Sequence, residues 1–182
     1  IKIIKENYLE SDEIYRKFKN KKKEIIEKFI SSFRNELIKK TENSWKINDI
    51  NGIESGSFNY ILLSKESDDC FFYFRYNNLD SKNSLTTFGI IINEKFIKKG
   101  ITGVEIYNEL GVKMHKTGNR SVIYEIINEL DFCNPSMIEK IINNNKTLLE
   151  EVTVEFISFI NNNTQLYNEI IKKLNNNKND EN

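Results

Sequence analysis

One short segment concentrates the residues that are best suited to bind an anion. It contains the only histidine of the chain and one of its four arginines. The residues concerned are Lys113, His115, Lys116, Asn119 and Arg120. An apolar run at helical spacing begins at Ser121, so the segment is predicted to precede a helix, whose first N–H groups attract anions. The sequence therefore predicts an anion- or nucleic-acid-binding loop; a solvated polar loop is the alternative.

A second basic cluster is a run of lysines near the start of the chain. Its members are Lys19, Lys21, Lys22 and Lys23. We interpret the run as part of a partner-binding helix. The alternative is a solvated lysine face, which is common in a chain that is rich in lysine.

A pattern of carboxylates and lysine typical of metal-dependent nucleases occurs once. In such sites the carboxylates hold Mg²⁺ and the lysine of an acidic-x-Lys triplet steadies the attacking water. The triplet here begins at Asp80 and ends at Lys82, with Asp69 upstream. Asparagines flank the triplet, which is typical of a turn between strands rather than of a strand interior.

Other catalytic and metal-binding patterns are missing from the sequence. Cys70 and Cys133 have no Cys or His close by, whereas a zinc site needs four clustered ligands. A nucleophile that depends on histidine would have to use His115, and the serines near it, Ser121 and Ser136, lie at predicted helix caps. The sequence also has no glycine-rich phosphate loop. We therefore predict no catalytic residue, no bound metal and no cofactor.

The segment 70–76 is strongly aromatic, and aromatic side chains on a sheet can stack on nucleic-acid bases. Because the segment is apolar on both faces apart from Arg75, packing in the core is the better prediction for most of them. Tyr73 or Tyr76 on an open face is the alternative.

The elements that must position these residues begin with a long helix over residues 11–40. Apolar residues recur there at helical spacing, Ser11 can cap the start, and Lys39 and Lys40 suit the negative end. Such a helix is longer than a small core requires, and lysines interrupt its apolar stripe. Its N-terminal part is therefore predicted to project or to meet a partner.

The middle of the chain changes to the pattern of a sheet. Four short segments, rich in aromatic or β-branched residues and separated by turn residues, cover 45–50, 58–64, 70–76 and 85–92. Their connections are too short for crossover helices, so they predict an antiparallel meander. The segment 70–76 is predicted to be central.

From residue 102 the pattern returns to helix. Predicted helices begin at Thr102, Ser121, Asn134–Pro135, Thr147 and Thr164, with Gly111 as a C-terminal cap. The prediction is an α+β fold with one domain over 1–174, made of the long helix 11–40, a sheet within 45–96 and helices within 102–174. Residues 175–182 are predicted to be a flexible polar tail.

The composition restricts the functional classes. The chain has 182 residues, 27 basic and 27 acidic side chains that cancel, no alanine, and 23 lysines against four arginines. This bias indicates an AT-rich genome, so the lysines are poor indicators of phosphate binding, and zero net charge argues against binding nucleic acid by bulk electrostatics. No apolar run is long enough to span a bilayer, and two cysteines are not a disulfide framework. A cytoplasmic location without membrane contact is expected.

Residues 44–96 run from Ser44–Trp45 through alternating strands to an aromatic strand and Phe88-Gly89-Ile90, followed by a segment with Tyr124 and by Asn/Glu-rich helices. This succession resembles the region that follows the catalytic core in a bacterial and phage family of PD-(D/E)XK-type nucleases. The resemblance implies a setting in mobile elements or defence loci. The catalytic signature of the family is not matched by any predicted strand, so no catalytic residue is carried over.

The leading hypothesis is a non-catalytic interaction module in a phage, mobile-element, defence or anti-defence context. Its partner would be a protein, such as a nuclease or a defence effector, or a nucleic acid. The alternative is a metal-dependent nuclease or nuclease-associated domain of the PD-(D/E)XK type, built on Asp69, Asp80 and Lys82. A homodimer through the long N-terminal helix is a further hypothesis.

Overall fold

The computed structural model confirms the α+β class. It describes residues 2–41, 44–51, 58–65, 68–77, 86–93, 103–111, 115–117, 120–127, 130–132 and 134–179. Within these residues the elements follow in the order α1 (Lys2–Thr41), β1 (Lys46–Asn51), β2 (Phe58–Ser64), β3 (Cys70–Asn77), β4 (Thr86–Asn93), α2 (Gly103–Glu109), β5 (His115–Thr117), β6 (Arg120–Ile127) and α3 (Pro135–Asn179).

The described strands form one six-stranded sheet in the order β1-β2-β3-β4-β6-β5, with every neighbouring pair antiparallel. The meander predicted over 45–92 is confirmed as β1 to β4. The central place predicted for the aromatic strand β3 is also confirmed, since it lies between β2 and β4.

The helix predicted to begin at Ser121 is wrong, because residues 120–127 form strand β6 between β4 and β5. The apolar run Val122, Ile123, Ile126 and Ile127 fits a helical stripe, but it equally fits an inner strand that is apolar on both faces. The β-branched residues favour the strand, because their branched side chains pack well on a pleated sheet.

Helix α1 is longer than predicted. Ser11 lies inside it rather than at its start, and Asp12 and Glu13 form ion pairs one turn on, with Arg16 at 2.9 Å and Lys17 at 2.7 Å. At its C-terminal end the Thr41 hydroxyl donates to the Leu37 carbonyl at 2.8 Å. The acidic residues therefore stabilise the helix by pairs of i,i+4 type instead of by capping.

Helix α3 replaces the three helices predicted after residue 134. The side chain of Asn134 accepts a hydrogen bond from the N–H of Ser136 at 3.0 Å, which confirms the predicted cap ahead of Pro135. A break occurs at Asn144, where φ is −131° and ψ is 33°, rather than at Thr147. Thr164 starts no new helix, because its hydroxyl donates back to the Ile160 carbonyl at 2.7 Å within the helix.

The prediction that residues 175–182 form a polar tail separate from the helices is corrected for 175–179, which continue α3. No glycine or proline stops the helix there, and each added residue gains one backbone hydrogen bond without needing an apolar face. Residues 180–182 lie outside the described part of the chain.

The short helix α2 ends as predicted at a glycine. Gly111 has φ of 66°, a left-handed conformation that glycine adopts without a steric penalty, and its N–H donates to the Asn108 carbonyl at 3.0 Å. An ion pair between Glu109 and Lys173 connects α2 to α3.

The main core lies between one face of the sheet and the helices α1 and α3. At its centre lies the ring of Phe156 on α3. Its centroid is 6.1 Å from the ring centroid of Phe33 on α1, 6.0 Å from that of Phe74 on β3 and 5.6 Å from that of Phe88 on β4. All four side chains are buried. One aromatic side chain therefore contacts both neighbouring strands and the other helix.

The opposite face of the sheet carries a smaller apolar cluster. The side chains of its buried members point away from the main core. These residues are Leu62, Phe71, Tyr73 and Ile91. Strands β2 to β4 are therefore buried on both faces, as the near-continuous apolar sequence of β3 requires.

Truncation of Phe156 tests this arrangement of the core. We expect Phe156→Ala to lower the free energy of unfolding by about 3–5 kcal/mol, because it leaves a cavity bordered by both helices and the sheet. Val154→Ala, two residues away at a position that is 49% exposed, is the control and should change it by less than about 0.5 kcal/mol. Equal effects in urea denaturation would contradict the described core.

Candidate functional site

The most conspicuous exposed surface lies on the N-terminal half of α1. Ile14, Tyr15 and Phe18 are 68%, 61% and 61% exposed, whereas Ile26 and Phe29 on the same helix are 4% and 0% exposed. Ile14, Tyr15 and Phe18 are here called the arm patch, and residues 10–23 of α1 the arm. The prediction that this part of the helix projects is thus supported by the exposure of its apolar residues.

The arm patch continues the face of α1 that enters the core. Successive helical residues are rotated by about 100°, so Phe18, Ile25 and Phe29 lie on nearly one line along the helix. Ile14 and Tyr15 flank this line on either side. The arm patch thus lies on the side of α1 that enters the core, separated from Ile25 by lysines, and it is largely exposed.

The predicted lysine cluster lies at the base of the arm, and its four members all interact with neighbouring residues. Lys21 pairs with Glu24 at 3.0 Å and Lys23 with Glu27 at 3.7 Å, while Lys19 and Lys22 are half-buried and also engaged. The hydrogen bond from Lys21 lowers the pKa of the Glu24 carboxyl. Two of the four lysines thus pair with acidic residues of the same helix, which favours a surface that recognises protein over one that recognises phosphate.

The predicted anion-binding segment does not precede a helix. His115 and Lys116 belong to β5 and Arg120 starts β6, with His115 paired to Val122 and Lys116 to Ser121 in the register. Lys113 and Asn119 lie outside the described residues. The argument from a helix N-terminus is therefore wrong, whereas anion binding by this segment stays a prediction.

A signal in the sequence could have indicated this hairpin. The two residues between β5 and β6 are Gly118 and Asn119, a pair of types that often connects two strands directly.

The predicted nuclease residues are only partly described. Asp80 and Lys82 lie outside the described residues. Asp69 is 6% exposed next to the buried Cys70, and the exposed Asp68 pairs with Lys46 at 3.6 Å. Within the described residues, no three His, Cys, Asp or Glu side chains form a group able to hold a metal ion.

The aromatic residues of β3 pack within the protein. Tyr73 is 2% exposed in the second cluster, so the open face considered for it is wrong. Tyr76 is half-buried on the core side, with its ring 6.3 Å from both Phe74 and Phe132. Tyr73 therefore offers no open ring to a base, and the ring of Tyr76 is partly covered by the core.

The thiol of Cys70 is buried within β3. Burial raises the pKa of this thiol far above its ordinary value, and the nearby charge of Asp69 raises it further. A nucleophilic cysteine needs a lowered pKa, so Cys70 is suited to packing and not to covalent chemistry.

An aromatic corner joins α3 to the connection between β2 and β3. The Tyr167 hydroxyl accepts a hydrogen bond from the N–H of Lys65 at 3.3 Å and donates one to the Cys70 carbonyl at 3.2 Å. Trp45 packs edge-on against Tyr167 and Phe72, with ring centroids 5.3 Å and 5.2 Å apart. The Lys65 ammonium lies 4.9 Å from the Trp45 ring. The polar groups of this corner thus have their partners within the protein, which is typical of a structural role.

Comparison with known proteins adds no relative. The chain matches no family model, no curated protein and no solved structure. The resemblance to the PD-(D/E)XK-type family therefore stays a prediction. Within the described residues, no helix combines the length and the apolar character that a bilayer crossing needs.

The aromatic corner generates one testable expectation. Tyr167→Phe should lower the free energy of unfolding by about 0.5–1.5 kcal/mol, because the Cys70 carbonyl loses its donor and the Lys65 N–H its acceptor. Fluorescence of the single tryptophan, Trp45, during denaturation would measure the change. Tyr15→Phe, on an exposed side chain, serves as the control and should have no measurable effect.

The basic hairpin can be tested with short labelled DNA and RNA. If it binds phosphates, Lys116→Ala and Arg120→Ala should each weaken binding and make the dependence of affinity on salt less steep by about one unit of log–log slope. Fluorescence anisotropy at several salt concentrations measures both effects, with the exposed Lys172→Ala as the control. Unchanged affinity in both hairpin variants would rule out this role.

Proposed function

We propose that this protein is a non-catalytic binding module that uses the arm patch of α1 to dock a protein partner. The observation that carries the proposal is the large exposure of three neighbouring apolar side chains, Ile14, Tyr15 and Phe18. Single exposed apolar residues are ordinary on protein surfaces, but a contiguous group on one helix face is typical of an interaction site.

The energetics of a helix in water support the same proposal. Most of the stability of a helix in a protein comes from packing of its apolar face, and the apolar residues Ile14, Tyr15 and Phe18 of the arm are largely exposed. Ion pairs such as Asp12–Arg16 contribute only a few tenths of a kcal/mol each. A partner that covers the arm patch would supply the missing packing and stabilise the helix.

The character of the arm favours a protein as the partner. The arm carries the acidic residues Glu10, Asp12 and Glu13 as well as its basic residues, so a partner would meet charges of both signs. Aromatic and aliphatic residues surrounded by charges of both signs are what a helix-in-groove or helix-to-helix contact requires.

Site-specific photo-crosslinking in cells that express the chain tests the proposal. A photoreactive amino acid in place of Phe18 should give a protein adduct of defined mass, because this position would face the partner. The matched control is Asn20, which is exposed and points to the opposite side of the helix. Equal labelling from both positions, or no adduct from position 18, would contradict docking through the arm patch.

A further inference from the structure

We draw no further inference here: the strongest candidate, the exposed apolar patch of Ile14, Tyr15 and Phe18 on the projecting part of α1, belongs to the docking surface already proposed, and nothing in the described part of the structure shows what covers it.

Discussion

The constraint on which the architecture depends is the aromatic strand β3, which presents large apolar side chains to both faces of the sheet. No single layer can cover both faces, so the sheet must be enclosed from two sides. On one side Phe74 meets Phe33 of α1 and Phe156 of α3, so the two helices lie together on that face. The sheet continues beyond this centre through β4 to β6 and β5.

The same constraint accounts for the arm. Strands of eight residues span about 27 Å, whereas the 40 residues of α1 span about 60 Å, so the sheet cannot cover the whole helix. The helices run in the same chain direction, since Phe33 lies beside Phe156 and Trp45, which follows α1, lies beside Tyr167. Both helices rise by the same distance per residue, and Asn144 precedes Phe156 by as many residues as position 21 precedes Phe33. The break in α3 at Asn144 therefore lies about level with the base of the arm. Helix α3, which packs beside α1, therefore changes direction at the level where the apolar residues of α1 become exposed.

Much of the fold could be predicted from the sequence, because many of its elements are determined by neighbouring residues and not by distant contacts. The first four strands, the cap at Asn134 and the glycine end of α2 depend on residues close to each other in the chain. The run after Ser121 could not be assigned in this way, because an apolar β-branched segment satisfies both helical and strand periods until its neighbours in the sheet are known. The candidate site divides similarly: exposure of the arm follows from helix length, whereas burial of Tyr73 depends on cover from elsewhere.

The predicted helix start at Ser121 is a strand, so no helix N-terminus follows the basic segment to attract an anion. The basic residues at 115, 116 and 120 instead lie in a hairpin at the margin of the sheet. The nuclease pattern is affected in another way. Its upstream carboxylate, Asp69, is buried immediately before the first residue of β3, beside the buried Cys70.

The two outer strands of the sheet have a consequence for how copies of this protein can associate. One margin is β5, which is only three residues long, and the other is β1, whose sequence places lysine, asparagine and aspartate among its isoleucines. A short strand and charged residues at a margin both discourage the addition of strands from another molecule. The β1 margin and the three residues of β5 are thus poor templates for an added strand, whereas residues 123–127 of β6 extend past β5 in the register. The two margins of the sheet therefore differ in how readily a strand of another molecule could pair with them.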